Sequence, residues 1–295
     1  MDKFDAVTTL KYISRYKITF VIGVPTVLEE LADAQEQQSF DLSTLTGIIT
    51  MGSPLERGAC LRYQRVLTPN IYNGYGTTET LWNTFLRPFD LPQYAGTAGA
   101  SMVDDDVRVV KIYDDHRADP DEVVATDGRE TGEVIISSPA KSPYQYFNNP
   151  EETEKKYYKG FIYTGDLATW DENQYITILG RKDDMIISSG ENIYPTEIEA
   201  VLNKNPKVKD CMVTSVPDKM RGQVVTAYVV RDDATLSAEE LDQFCKDSPD
   251  IANFKRPRYY RFVSQLPFNA TGKKLHVKIK ATASDDLRNG LLYRV

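Results

Sequence analysis

The chain has 295 residues, 41% of them apolar and 26% charged, and a formal net charge of −8. That length accommodates two domains with sizeable cores. The acidic balance argues against nonspecific nucleic-acid binding, while leaving room for a local basic patch that takes an anionic cofactor. No apolar run approaches the roughly 20 residues needed to span a bilayer, and the N-terminus is not signal-like. Cys60, Cys211 and Cys245 are far apart in sequence, which fits a reduced, cytoplasmic protein without a zinc site or disulfide framework. His116 and His276, the only two histidines, argue against a histidine triad or metal site and read as surface residues.

Asp5 caps a first helix with apolar positions Ala6, Val7, Leu10 and Ile13, and a β-rich run follows at 18–24. Thr26 and Glu29 have capping-box spacing for a second helix. A strand at Gly47–Met51, a helix after Pro54 and a strand near Ile71 continue the alternation. Strands alternating with helices predict a parallel sheet, α/β in class, over 1–95. Beyond Gly96 helical periodicity fades. Short β runs at 107–113, Gly132–Ser137 and 175–179 predict a small, mostly antiparallel β subdomain over 96–182. Lys182-Asp183-Asp184 then interrupts the apolar pattern and marks a domain joint. Residues 183–295 read as a compact α+β unit. Capping boxes at Thr196/Glu199 and Ser237/Glu240 open its helices, with strand runs at 211–216 and 224–230 between them. There is no internal repeat.

Four clusters carry candidate chemistry, the second of them made of two stretches, 163–166 and 180–184. In Asn73-Gly74-Tyr75-Gly76-Thr77-Thr78-Glu79, two glycines permit close backbone approach to a ligand, Tyr75 offers a flat face, and Glu79 suits a hard cation. In Tyr163-Thr164-Gly165-Asp166, an Asp at a turn is able to accept both hydroxyls of a ribose. Gly180-Arg181-Lys182-Asp183-Asp184 ends a strand with an Arg that reaches sugar or phosphate. Ser188-Ser189-Gly190-Glu191-Asn192-Ile193-Tyr194-Pro195 and Asn269-Ala270-Thr271-Gly272-Lys273-Lys274 complete the set. Singly, each is an ordinary loop or surface ion pair worth about 0–1 kcal/mol. Their joint occurrence in this order is specific.

On these stretches the chain resembles the adenylate-forming superfamily of acyl-CoA synthetases, nonribosomal adenylation domains and firefly-type luciferases. Gly23-Val24-Pro25-Thr26, Gly52-Ser53-Pro54-Leu55 and Gly132-Glu133-Val134 add weaker matches. The run 180–202 and Asn253-Phe254-Lys255-Arg256-Pro257 look most like benzoate and 4-chlorobenzoate CoA ligases. The resemblance implies the C-terminal part of the large domain, a parallel α/β sheet plus a β-barrel-like subdomain (1–182), then a mobile small domain (183–295).

It further implies ATP or AMP, Mg²⁺ and coenzyme A as cofactors, with a small carboxylic acid as substrate. Asn73, Gly74 and Tyr75 would flank adenine, beside Gly76 and Thr77 of the same motif, and Thr78 would contact the α-phosphate. Glu79 would hold Mg²⁺, and Asp166 and Arg181 the ribose. Asp183 would be the hinge and Lys273 the lysine of adenylation. Ser189, Gly190 and Glu191 would face the pantetheine channel. Phe254 and Arg256, with Lys255, Arg258 and Arg221, would meet the nucleotide end of CoA. Met220-Arg221 departs from the benzoate-type pattern, which has an aromatic residue there. Thr80, Leu81, Trp82 and Asn83 are candidate acyl-pocket residues; Trp82 suits a flat or short acid, and a plain core role for it stays open.

A Ser/Thr/Gly-rich phosphate loop ending in Pro-Lys-Gly has no match in 1–295. The expectation is therefore a fragment with little complete activity, whose sheet needs a missing N-terminal portion or a partner chain, a dimer included. Loading of a carrier-protein thiol and a non-catalytic nucleotide-binding module remain the alternatives.

Overall fold

A computed structural model describes residues 4–113, 115–142, 144–269 and 274–295. The chain divides into two compact units, Met1–Ile178 and Leu179–Val295.

The first unit opens with α1 (Ala6–Tyr16), started by Asp5, whose carboxylate accepts from the Thr8 amide at 2.7 Å. Then come β1 (Phe20–Gly23), α2 (Pro25–Gln37), β2 (Gly47–Met51), α3 (Arg57–Val66) and β3 (Ile71–Thr77). β1, β2 and β3 pair in parallel; β4 (Leu81–Leu86) and β5 (Ala100–Ser101) extend the sheet antiparallel, in the order β1-β2-β3-β4-β5. The expected Thr26–Glu29 capping box does not form. Pro25 takes the first helical turn, so Val24 stands at the cap with no side-chain bond. Glu29 instead accepts from Arg62 at 2.6 Å and from the Tyr63 hydroxyl at 2.8 Å, tying α2 to α3. Leu10 and Ile13 of α1, Leu28 and Leu31 of α2, and Tyr63 of α3 bury against Ile48, Ile71 and Leu86 of the sheet. Each such side chain contributes about 1.5–3 kcal/mol by burial. All three helices lie on that one face.

A second sheet contains β6 (Asp106–Val110), β7 (Gly132–Ser137), β8 (Tyr157–Tyr158), β9 (Phe161–Trp170) and β10 (Ile176–Arg181), ordered β10-β9-β7-β6 with β8 on β9; the division between the units falls within β10, after Ile178. α4 (Pro150–Lys156) is capped by Asn149. Val109, Val134, Ile136, Ile162 and Trp170 form its core. The Tyr163-Thr164-Gly165-Asp166 stretch, expected as a turn, lies inside β9. The register slips opposite Glu133 and Ile135, and Gly165 supplies φ +75°, a β-bulge rather than a chain reversal.

The second unit contains β11 (Ile186–Ser188), β12 (Glu191–Ile193), α5 (Pro195–Leu202), β13 (Val208–Asp218), β14 (Gly222–Arg231), α6 (Ala238–Asp247), β15 (Tyr259–Phe262), α7 (His276–Arg288) and β16 (Tyr293–Arg294). Its sheet runs β12-β11-β14-β15-β16, with β13 paired to β14. Ile198, Val201 and Leu241 pack with Val213, Val225 and Ala227 in one cluster. Ile279 and Ala283 of α7 pack with Met212 and Tyr228 in another. The Ser237/Glu240 capping box forms as expected. The Thr196/Glu199 box does not, because Pro195 occupies the first turn. Thr196 donates to the Leu179 carbonyl, and Glu199 turns inward to accept from the Val213 amide at 2.7 Å.

Candidate functional site

The Asn73–Glu79 cluster occupies β3 and the tight turn into β4. Asn73 is buried and donates to the Thr97 carbonyl at 3.0 Å. The glycines are required by packing as well as by any ligand. A Cβ at Gly76 would sit 1.6 Å from the Leu81 carbonyl oxygen, and one at Gly74 would meet the Phe85 ring at 3.2 Å. Thr77 and Thr80 share a hydroxyl hydrogen bond of 2.9 Å, and Thr80 donates to Asn83 Oδ1 at 2.6 Å. Thr80 and Asn83 are fully buried, so both serve to hold the turn. Of the four candidate acyl-pocket residues, Leu81 is 63% exposed. Trp82 donates its ring N–H to Met51 Sδ at 3.3 Å. Thr78 is exposed at the turn.

Two long-range hydrogen bonds assemble the cluster. The Tyr75 hydroxyl donates to Asp166 Oδ2 at 2.7 Å across 91 residues, joining the β3 motif to the β9 bulge. The bulge is itself braced: Asp166 N donates to Thr164 Oγ1 at 3.0 Å, and Gly165 N donates to Glu133 Oε1 at 3.1 Å. The Tyr146 hydroxyl donates to Glu79 Oε1 at 2.6 Å. Burial pushes the Glu79 carboxyl upward. The bonds from Tyr146, its own amide and Thr77, with the Lys156 charge, outweigh that and hold it below the usual carboxylate value. Tyr146 was not among the residues expected from the sequence; it stands in a turn-rich stretch with no motif around it. A buried ion pair supports its segment. Lys141 Nζ lies 2.5 Å from Asp105 Oδ2 and donates to the Trp82 carbonyl at 2.6 Å, while Ser138 donates to Asp105 Oδ1 at 2.5 Å.

The donor set accommodates the implied magnesium. Among the described residues no group of three or more His, Cys, Asp or Glu comes together, and Glu79 is a single ionised carboxylate. Mg²⁺ commonly takes one or two carboxylates and draws its other ligands from water and substrate phosphates. Glu79 therefore fits an ion that arrives with a nucleotide.

Arg181 ends β10 and belongs to the second unit, as does Asp183 in the short 3₁₀ turn Lys182–Asp184. Lys280 of α7 donates to the Asp183 carbonyl. Ser189 (φ +54°) and Gly190 (φ +85°) form the two-residue turn between β11 and β12, with Glu191 opening β12. The Ser189 amide donates to the Arg221 carbonyl at 2.9 Å, which places the Met220-Arg221 turn beside that hairpin. Phe254 is 44% exposed. Arg256 forms an ion pair with Asp242, donates from Nε to Asn253 at 2.7 Å, and keeps only 12% of its side chain exposed. Lys255 pairs with Glu197 at 2.7 Å. Arg258 differs: its Nε is buried with no hydrogen-bond partner among the described residues. Burial, then the charges of Arg256 and Arg221, push its pKa down. These three guanidinium groups form the basic patch.

Lys273, with Ala270, Thr271 and Gly272, lies outside the described residues. His276 is not a surface residue, as the sequence had suggested. It is 19% exposed, and its Nε2 lies 2.7 Å from Glu199 Oε1. The neighbouring Lys274 donates to Asp210 at 2.6 Å and to the Cys211 carbonyl at 2.7 Å. His116 is exposed, as expected.

The family model for AMP-binding enzymes matches residues 1–143, and the model for the AMP-binding enzyme C-terminal domain matches 197–273. A long-chain-fatty-acid–CoA ligase of Yersinia pestis is 32% identical over 92% of this chain and 46% of its own length. A 4-chlorobenzoate–CoA ligase of an Arthrobacter species is 32% identical over 92% of this chain and 50% of its own. Among solved structures, an amide bond synthetase from Marinactinospora thermotolerans superimposes with a TM-score of 0.81 at 26% identity, over 97% of this chain and 56% of that one. The chain thus spans about half the length of the curated relatives it matches. With the AMP-binding enzyme model and the C-terminal-domain model matched in order along it, the chain belongs to the AMP-binding, adenylate-forming family of enzymes.

Proposed function

We propose that this chain carries the nucleotide-holding, hinge and acceptor-side parts of an ATP-dependent carboxylate–CoA ligase. The observation that carries the proposal is the Tyr75–Asp166 hydrogen bond of 2.7 Å, which sets the adenine-type motif beside the ribose-type carboxylate. In such a ligase the substrate carboxylate attacks the α-phosphorus of ATP, and the bond to pyrophosphate breaks. The nucleophile is already an anion, so no general base is required. The obstacle is charge repulsion, met by cations placed before the reaction begins. Glu79 would help hold magnesium, which would supply charge neutralisation on the phosphates. Thr78 contacts the α-phosphate, Asp166 and Arg181 hold the ribose, and Lys273 bridges carboxylate and phosphate. A turn about Asp183 then presents Ser189, Gly190 and Glu191 for thiol attack on the acyl-adenylate, which releases AMP. The acid is aromatic or of short to medium length, and the three buried free cysteines suit a reducing, cytoplasmic setting.

The acceptor distinguishes this reading from transfer to a carrier-protein thiol, to an amine, or from nucleotide binding alone. The patch of Arg221, Arg256 and Arg258, with the unpartnered Arg258 Nε, suits an acceptor that brings its own phosphates. Equilibrium binding of CoA and of dephospho-CoA to the 295-residue chain tests it. The expected result is binding of CoA that weakens about tenfold or more in Arg258→Ala, the loss of a charge-assisted contact. CoA binding unchanged in Arg258→Ala and Arg221→Ala, or absent altogether, would overturn the CoA assignment.

A further inference from the structure

Glu79 and Tyr146 stand 67 residues apart within the first unit, and their contact is built from both sides. On the tyrosine side, the Tyr146 amide donates to Thr153 Oγ1 at 2.9 Å, and the Tyr146 carbonyl accepts from the Asn149 amide at 3.3 Å. Both bonds tie its backbone to the start of α4, where Thr153 also donates to the Asn149 carbonyl at 2.8 Å. The Tyr146 ring meets the Tyr157 ring edge-on with centroids 5.8 Å apart, and Tyr157 meets Tyr144 in the same way, also at 5.8 Å. The Tyr144 hydroxyl accepts from the Ser138 amide at 2.8 Å, which anchors the three rings just past β7. On the carboxylate side, the Glu79 amide and the Thr77 hydroxyl bond the same carboxylate, in a turn closed by the Thr77–Thr80 bond. The Tyr146 hydroxyl is therefore aimed by packing, and it donates to Glu79 Oε1 at 2.6 Å.

A carboxylate that ligates a metal is itself ordinarily hydrogen-bonded, and loss of such an outer partner typically costs about 10–100-fold in metal affinity. The Tyr146 bond also commits one of the two carboxylate oxygens. A cation that chelates both oxygens must displace or share that bond, whereas a cation taking a single oxygen need not. Calcium readily takes both oxygens of one carboxylate into its large, flexible shell. Magnesium demands near-ideal octahedral geometry, which the narrow bite of a carboxylate does not fit. A phenol suits the task, because it holds an oxygen in place without cancelling the negative charge, as a lysine or arginine would. We propose that Tyr146 is a positioning residue for Glu79: it fixes the carboxylate as a single-oxygen ligand and so biases the site towards nucleotide-borne Mg²⁺ over Ca²⁺. The inference rests on the function proposed above, since it takes Glu79 as a magnesium ligand.

Equilibrium titration of ATP into the 295-residue chain, once in Mg²⁺ and once in Ca²⁺, tests it, with the ratio of the two affinities as the quantity read. A merely structural role for Tyr146 would lower both affinities together and leave the ratio alone. The expected result is ATP binding at least about tenfold tighter in Mg²⁺ than in Ca²⁺, a preference that falls to about threefold or less in Tyr146→Phe. That variant keeps a ring against Tyr157 and removes only the hydroxyl. Glu79→Gln should erase the preference as well, because an amide oxygen carries no charge for either cation. Tyr144→Phe is the control: its hydroxyl bonds the Ser138 amide rather than Glu79, so the preference should be unchanged. A preference retained in Tyr146→Phe, one that survives in Glu79→Gln, or equal affinity in both cations for the unaltered chain would each overturn the inference. The last of these, with AMP still bound, would leave the proposed function standing. A chain that binds neither AMP nor ATP would overturn that function and this inference together.

Discussion

His276 and Glu199 face each other inside the second unit, and the balance of forces on the imidazole sets a pH dependence. Burial opposes its charge, as does the neighbouring Lys274. The hydrogen bond and charge of Glu199, with Asp184 nearby, outweigh both and raise its pKa above the ordinary 6.5. A raised folded value means stabilisation fully present below 6.5 and lost as pH rises through the folded value. The expected outcome is that thermal unfolding of the second unit shifts downward from neutral to mildly alkaline pH, and that His276→Gln flattens this slope. An unchanged slope in the variant would remove His276 from the account. The pair was not legible in the sequence because its members stand 77 residues apart. Tyr146 escaped notice for the same reason, lying 67 residues from Glu79. Asn73–Glu79 and Asp166 were legible because each sits in a stretch whose residue types are unusual together, although nothing local announced that Tyr75 and Asp166 touch.

At the scale of elements, capping signals competed with proline. Ser237 and Glu240 form their box because no proline intervenes. At Thr26 and Thr196 a preceding proline starts the helix earlier, leaving the threonine inside the first turn and the glutamate available for tertiary partners. Glu29 thereby reaches Arg62, and Glu199 reaches His276. The β3–β4 hairpin makes a sharper demand. Gly76 has no room for a Cβ because the Leu81 carbonyl oxygen would lie 1.6 Å away, and that oxygen is backbone in a tight turn. Gly76→Ala should cost about 3 kcal/mol or more, lowering the melting temperature on the order of 6–12 °C. Gly128→Ala is the comparison: Gly128 has φ +69° but open space around its Cβ position, so only about 1–3 kcal/mol of backbone strain applies. Equal, small shifts in both variants, read by calorimetry, would show that the hairpin yields without strain.

At the scale of the molecule, each unit keeps its own core, and the proposed chemistry draws on both. The alternation of strand and helix in the first third made the parallel sheet legible, and Gly47–Met51 appears with the bounds read from its apolar run. Periodicity could not show that α1, α2 and α3 all pack on one face of that sheet, because an apolar run does not say which face a helix covers. The long β9 was missed because Gly165-Asp166 has turn composition, while the bulge that accommodates it depends on Glu133 and Val134 of a distant strand. The proposed chemistry depends on nucleotide binding. Isothermal titration of AMP into the 295-residue chain, beside Asp166→Ala, tests it most directly. The expected result is saturable one-site binding that weakens at least about tenfold in the variant, a loss of about 1.4 kcal/mol or more. Absence of AMP binding, or equal affinity in both proteins, would contradict it.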